Sequence, residues 1–398
     1  MLDKHGAGRA SHPNTWPWFD EDECSAVQRV MASGKVNYWT GTEARSFESE
    51  YARAIGVGYA IALANGTVAL ELPLRMLGIG PGDEVIVTPR SFMASVGCVV
   101  LQGATPVFAD VDPSSGNLTA ESIEAVASPR TRAVIPVHLA GWPCEMDAIM
   151  DLARSRGFHV IEDCAQAHGA EYRGRPVGSF GHASAFSFCQ DKIITTLGEG
   201  GLLATDDADL WERAWSFKDH GKTWEAMYER QHGPGFRWVH DRFGTNWRMT
   251  EVQAAVGRLQ LGKLGSWIAK RRHNAALLDS RLMNAPGISV PQVPAHIHHA
   301  YYKYYLYLQP GALRSDWTRD RLVAEVTRRG VPCFAGSCSE IYRERAFVGT
   351  GFVPATALPN AHALGESSVM LQVHPTLAED DVHRAADVLL AVLEEARR

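Results

Sequence analysis

The chain has 398 residues, of which 45% are hydrophobic and 21% charged, a composition typical of a globular protein with room for a large domain and a smaller one. Its formal net charge of −6, with no basic run to offset it, argues against nucleic acid as the main partner. The first residues lack the apolar core of a signal peptide, and no run of about 18 apolar residues could span a membrane. We therefore expect a cytoplasmic protein without a membrane partner.

Short apolar runs rich in β-branched residues alternate with helical patterns between residues 58 and 205. This alternation predicts a three-layer α/β/α domain, in which helices cover both faces of a mainly parallel sheet. The predicted strands span 59–64, 84–88, 106–111, 133–138, 159–163, 183–189 and 202–205. The helices between them are predicted over 68–77, 92–102, 121–126 and 146–156.

The second half of the chain changes character. Helical patterns dominate from residue 207 to about 285, and a mixed stretch follows, with a strand predicted over 301–308 and a closing helix over 380–396. We predict a large domain over 1–265 and a smaller α+β domain over 266–398.

The turn after the first predicted strand, Asn65-Gly66-Thr67, leads directly into a helix. Gly66 allows a ligand to approach the backbone closely, and the first turn of the helix offers free N–H groups and the positive end of its dipole. Gly66 and Thr67 could therefore hold a phosphate. A plain helix N-cap is the alternative interpretation.

Glu162 and Asp163 end an apolar strand, at the edge where open α/β sheets bind their ligands. A carboxylate at this place could keep the pyridine nitrogen of pyridoxal phosphate (PLP) protonated. Asp163 could equally cap a helix or bind a metal ion.

Lys192 lies between a buried strand and the glycine-rich segment 198–201. A lysine there could form a Schiff base with a carbonyl group. A surface lysine in a loop is the alternative.

Taken together, these segments resemble the DegT/DnrJ/EryC1/StrS aminotransferases, PLP enzymes that mostly aminate nucleotide-linked keto sugars. The resemblance runs from about residue 41 to 389, and its segments are 41–42, 47–48, 66–70, 162–169, 187–192, 198–201, 246–255 and 371–375. It implies the PLP-dependent transferase fold of the aspartate aminotransferase type (type I).

The resemblance implies roles for four residues around the cofactor ring. Lys192 bonds to the cofactor and later moves a proton, and Asp163 pairs with the pyridine nitrogen. Gln166 contacts the 3-hydroxyl group, and Phe92 stacks on the face of the ring.

Four further residues are implied around the cofactor phosphate. Gly66, Thr67 and Ser187 hold this group. Asn246 reaches the phosphate of the neighbouring subunit's cofactor, so the resemblance also implies a homodimer with shared active sites.

Relatives with histidine in place of the lysine dehydrate sugars, so Lys192 predicts transamination. The expected donor is an amino acid, glutamate, and the expected acceptor is a nucleotide-linked 4-keto or 3-keto 6-deoxysugar, as in the biosynthesis of lipopolysaccharide or natural-product glycans. A cyclitol or another small ketone is an alternative acceptor, and a catalytically silent regulator with the PLP fold is an alternative of another class. Residues 333–342 depart from the Tyr-x-x-Pro-x-His pattern of many relatives, in a stretch expected near the substrate.

Other polar signals are interpreted as structural. His138 and His168 are predicted to be core histidines, although both could lie beside the cofactor. The run 296–299 is rich in histidine but lacks carboxylates, and the seven cysteines show no C-x-x-C pair, so we predict no metal site.

Overall fold

The structure, a computed structural model, describes residues 15–397. The first residues, for which no signal peptide is predicted, and the outer limits of the two predicted domains lie outside these residues. The α-helices of the described residues are α1 Glu21–Ser33, α2 Glu43–Ile55, α3 Gly66–Met76, α4 Ala94–Leu101, α5 Ala120–Val126, α6 Met146–Arg156, α7 Ala208–Phe217, α8 Glu251–Leu282, α9 Arg319–Arg328, α10 Pro359–Ser367 and α11 Glu379–Ala396.

The strands form three sheets. They are β1 Tyr59–Leu63, β2 Glu84–Val87, β3 Thr105–Phe108, β4 Thr131–Ile135, β5 His159–Asp163, β6 Glu171–Tyr172, β7 Arg175–Pro176, β8 Ala183–Ser187, β9 Gly201–Thr205, β10 Ile288–Ser289, β11 Ile297–His298, β12 Tyr304–Leu308, β13 Cys333–Phe334 and β14 Ser368–Leu371.

The main sheet has seven strands in the order β1-β9-β8-β5-β4-β2-β3. The five strands from β8 to β3 pair in parallel, which confirms the predicted α/β class and the mainly parallel sheet. Of the seven strands, β9 alone runs antiparallel to the other six. The reason is that the chain returns from β8 through the loop 188–200 without a crossover helix.

Successive residues of the inner strands point to opposite faces of the main sheet, and both faces are covered. Val85 and Val87 of β2 belong to a core cluster shared with α2, α3 and α4. Ile86, between them, packs with Ile123 of α5 and Ile149 of α6 in a second cluster. This alternation produces the predicted three layers.

A second, antiparallel sheet has the order β10-β12-β14-β13 and packs with α9 and α11. The C-terminal half of α8 contributes Ala275, Leu278 and Leu282 to this cluster, whereas Ala254 near its start packs in the first cluster. The predicted boundary at residue 265 falls within this continuous helix, and the division into two domains stays a prediction.

Residues 218–250 are the largest departure from the predicted elements. Helices were expected there, but the structure has only a π-helical turn, Glu225–Glu229, within an otherwise irregular segment. Four glycines and Pro234 interrupt the segment, and these residues disfavour a helix interior. No helix among the described residues is long and apolar enough to span a membrane.

Candidate active site

Three of the predicted site residues lie at one edge of the main sheet. Asp163 ends β5 and Ser187 ends β8, while Gly66 begins α3 just after β1. Because β1, β5 and β8 run in the same direction, their carboxyl ends meet at this edge, where open α/β sheets bind ligands.

The start of α3 lies directly against Ser187. A Cβ atom added to Gly66 would lie 2.6 Å from the Cβ of Ser187, so only glycine fits at this position. Asn65 caps the helix, its Oδ1 accepting a hydrogen bond from the N–H of Val68 at 3.1 Å. The remaining N–H groups of the first turn and the Ser187 hydroxyl together suit a phosphate.

Asp163 is a buried carboxylate, with only 3% of its surface exposed. Ser95 Oγ donates to its Oδ2 at 2.7 Å and the N–H of Ala165 donates to its Oδ1 at 3.1 Å. Burial raises the pKa of Asp163, and these hydrogen bonds and the charge of Lys192 only partly oppose the effect. No lysine or arginine among residues 15–397 forms an ion pair with this carboxylate, so a protonated pyridine nitrogen would supply the missing positive charge.

Gln166 is held by the unusual backbone of Ala140, whose φ is 57°. The N–H of Ala140 donates to Gln166 Oε1 at 2.9 Å. The NH₂ group of the same amide therefore points away from Ala140 and is free to donate elsewhere.

Lys192 lies in the loop that joins β8 to β9, and 15% of its side chain is exposed. Its Nζ lies 3.4 Å from the hydroxyl of Tyr302 and 3.6 Å from Asp191 Oδ1. The indole N–H of Trp16 donates to its carbonyl oxygen at 2.8 Å.

Phe92 and Asn246 are both exposed. Phe92, in the turn between β2 and α4, has 71% of its surface accessible, which leaves its ring free to stack on a ligand. Asn246 belongs to a segment that pairs with the end of β1, since the N–H of Ala64 donates to the carbonyl of Trp247 at 2.8 Å. Its side-chain oxygen accepts a long hydrogen bond, 3.4 Å, from the N–H of Arg248.

His168 holds the end of β8 in place. Its Nε2 lies 2.8 Å from the carbonyl oxygen of Ser187, which can only accept, so Nε2 carries the hydrogen. Its Nδ1 then accepts from the Tyr51 hydroxyl at 2.7 Å, and burial lowers the pKa of His168 to about 4. The ring is a neutral core histidine, as predicted.

His138 is also a core histidine. Its Nδ1 accepts from the N–H of Cys144 at 3.0 Å, so its Nε2 carries the hydrogen that Glu162 accepts at 3.0 Å. Both carboxylate oxygens of Glu162 also accept backbone N–H groups, from Gly178 and Gly181 among others. These atoms serve the fold and are not free to bind a ligand.

Four contacts of the site were not predicted from the sequence, those of Trp16, Ser95, Asp191 and Tyr302. Ser95 lies in the first turn of α4, close in sequence to the predicted ring-stacking residue Phe92, and that proximity is a signal that could have identified it. Tyr302 belongs to an aromatic run that was interpreted as a strand, although the strand begins only at Tyr304. Nothing local pairs Trp16 or Tyr302 with Lys192.

These residues fit PLP. The first turn of α3 at Gly66 and the hydroxyl of Ser187 suit its phosphate, and the buried Asp163 suits its pyridine nitrogen. The partly exposed Lys192 provides an amine for its carbonyl carbon.

Comparison with known proteins gives similarity over nearly the whole chain. The sequence model of the DegT/DnrJ/EryC1/StrS aminotransferase family matches residues 17–390. The dTDP-3-amino-3,4,6-trideoxy-alpha-D-glucose transaminase of Streptomyces venezuelae is 36% identical over 94% of this chain and 92% of its own length. The 3-amino-5-hydroxybenzoate synthase of Amycolatopsis mediterranei is 34% identical over 98% of this chain and 100% of its own. The X-ray structure of an aminotransferase from Psychrobacter cryohalolentis superposes with a TM-score of 0.94 at 52% identity, covering 96% of this chain and 99% of that one.

Proposed function

Because this chain belongs to the DegT/DnrJ/EryC1/StrS family of PLP-dependent aminotransferases, we propose that it moves an amino group from glutamate to a nucleotide-linked 4-keto or 3-keto 6-deoxysugar. Aminotransferase activity follows from the family, and the sugar and the donor are the proposal. The similarity to the Streptomyces venezuelae transaminase, which is named for a dTDP-linked amino sugar, is the observation that carries it.

PLP, when bound, supplies an electron-poor ring that stabilises negative charge on the reacting carbon. We assign Lys192 as the residue that bonds to it and whose Nζ takes the α-proton of the amino donor. Asp163 keeps the pyridine nitrogen positively charged, and Gln166 donates its amide N–H to the 3-hydroxyl oxygen. Phe92 covers one face of the ring.

The phosphate is assigned to the N–H groups of Gly66 and Thr67 and to the hydroxyl of Ser187. Asn246 is assigned to the phosphate of the neighbouring subunit's cofactor. Its exposed side chain supports this assignment, since it is available to a second subunit. The active protein is then a homodimer with shared sites.

A small non-nucleotide ketone is the second candidate acceptor. The similarity to the Amycolatopsis mediterranei enzyme, whose name specifies an aminobenzoate and no sugar, favours it. Single-turnover assays of the glutamate-treated enzyme with dTDP-, UDP- and GDP-linked keto sugars and with free cyclic ketones separate the two. Amination of free ketones alone would refute the nucleotide-sugar proposal.

The first test of the site is an absorbance spectrum of the protein with PLP, before and after glutamate. We expect a band at roughly 410–430 nm that moves to about 330 nm with the donor, as is usual for this cofactor. Lys192→Ala should lose both the band and turnover while keeping its circular dichroism spectrum, and Lys270→Ala on α8 is the matched control. Transamination by Lys192→Ala would refute the assignment, and a band that no amino acid shifts would favour a silent regulator.

The shared site is tested by mixing two inactive variants, Lys192→Ala and Asn246→Ala. Random exchange of subunits gives dimers in which one of two sites has both residues intact, so about a quarter of wild-type activity should return. No recovery after confirmed exchange of labelled subunits would show that Asn246 does not act across the dimer.

A further inference from the structure

Tyr302 is brought against Lys192 by a turn that lies 110 residues further along the chain. The preceding residue, Tyr301, has a φ of 48°, and the guanidinium of Arg271 lies 3.4 Å from the carbonyl oxygens of residues 301 and 302. Gly141 packs so closely that an added Cβ would lie 3.1 Å from the N atom of Tyr302. The ring of Tyr302 is consequently buried and its direction is set by its surroundings, with only 6% of its surface exposed.

The hydroxyl of Tyr302 makes two contacts, and their chemistry assigns its hydrogen. It donates this hydrogen to Asp191 Oδ2, because an ionised carboxylate can only accept. Towards Lys192 the same oxygen must then act as acceptor, and Nζ lies 3.4 Å away. The other carboxylate oxygen of Asp191 is 3.6 Å from the same Nζ.

Other charged groups also lie close to Lys192 and Tyr302. Asp163 adds a second negative charge. Lys303 lies 4.9 Å from the ring centroid of Tyr302, and the guanidinium of Arg271 lies 3.4 Å from the carbonyl oxygen of Tyr302. The neutral His168 completes the surroundings. Of the two carboxylates, Asp191 is the one that forms an ion pair with Lys192.

We infer that Tyr302 and Asp191 form a positioning pair, which holds the Nζ of Lys192 at the proposed cofactor site and keeps a negative charge beside it. Asp191 supplies the charge, and Tyr302 passes the effect on by presenting a polarised oxygen to Nζ. This inference rests on the proposal that Lys192 is the cofactor lysine.

The test is a pH titration of the absorbance of the PLP-loaded enzyme. Loss of the Asp191 charge in Asp191→Asn should lower the pH midpoint of the Lys192-dependent absorbance change by about half a unit, because the Asp191 side chain is 61% exposed and its charge is partly screened. Tyr302→Phe should give a smaller shift in the same direction and should lower kcat more than it raises KM. The double variant should match Asp191→Asn alone, because the hydroxyl acts through the carboxylate.

Tyr301→Phe is the matched control, since the ring of Tyr301 stacks on His299 with centroids 4.0 Å apart and not on Lys192. Its midpoint should equal that of the wild type. The positioning role would be contradicted if the midpoint were unchanged in both Asp191→Asn and Tyr302→Phe, or if the shifts were additive in the double variant. Neither result would affect the proposed function. A titrating band that survives in Lys192→Ala would overturn the proposed function as well.

Discussion

Glu162 and Asp163 are adjacent buried carboxylates with opposite electrostatic environments. Burial alone raises the pKa of both groups. For Glu162 the contacts with His138 and with backbone N–H groups outweigh burial and lower the pKa below its ordinary value. For Asp163 burial dominates and raises the pKa, so its ionised form is disfavoured at the place where a pyridine nitrogen would bind.

We expect Asp163→Asn to leave the cofactor-free protein at least as stable as the wild type at pH 7, while turnover falls by about 100-fold or more. A raised pKa means that the folded chain binds its proton more tightly than the unfolded chain. Stability therefore falls as the pH rises through the raised pKa, and a neutral amide removes that loss. Thermal unfolding and steady-state turnover measure the two effects.

Glu162→Gln is the contrasting control. A lowered pKa means that the ionised carboxylate stabilises the fold at every pH above its ordinary value, and glutamine loses this contribution. We expect a lower unfolding temperature for Glu162→Gln than for Asp163→Asn, and the reverse order would contradict these pKa directions.

Helix α8 connects the two core clusters and also packs on the loop that carries Lys192. A Cβ atom on Gly257 would lie 2.9 Å from the ring of Phe47 in α2 and 2.9 Å from the Cγ2 of Thr196 in that loop. Gly262, five residues further along α8, has no atom within 4 Å of such a Cβ. The same residue type thus has a packing role at one position and none at the other.

Gly257→Ala should destabilise the protein by about 1–3 kcal/mol, because the clash exceeds the gain in helix propensity. Gly262→Ala should stabilise it by about 0.5–1 kcal/mol, because only the propensity changes. The free energies of unfolding in urea measure both effects. Equal changes for the two variants would show that α8 does not pack closely at Gly257.

Three buried histidines predict how the stability of the protein responds to acid. Burial lowers the pKa of His168 to about 4, that of His374 to about 4 and that of His299 to about 3. In the unfolded chain each ring takes up its proton near its ordinary pKa of about 6.5. The unfolded chain thus binds more protons between these values, and stability must fall as the pH falls from about 6.5 towards 4.

We expect the free energy of unfolding to decrease below pH 6.5, with a slope that approaches about 1.4 kcal/mol per pH unit for each buried histidine. Urea titrations between pH 7.5 and 5 with excess PLP measure the slope. His168→Gln keeps a neutral acceptor and donor and should reduce the slope by about one histidine's share. The exposed His240→Gln should leave it unchanged, and equal slopes for the two variants would contradict the prediction.

The amino-acid sequence was sufficient to predict the α/β class, most of the strands and helices of the main sheet, and, through its family resemblance, the PLP-dependent transferase fold. These features depend on residues close together in the chain: an apolar run forms a strand, a cap and a 3.6-residue period form a helix, and a motif keeps its order. The positions of Gly66, Asp163 and Ser187 at one sheet edge follow from the same local signals, because parallel strands share their carboxyl ends.

The contacts that surround Lys192 could not be predicted from the sequence, because they join distant parts of the chain. Trp16 lies 176 residues before it and Tyr302 lies 110 residues after it, and no local pattern pairs residues at such separations. The path of residues 218–250, which brings Trp247 beside the end of β1, was set in the same way. A loop takes its path from the neighbours that the packed core places beside it, and these neighbours exist only once the chain has folded.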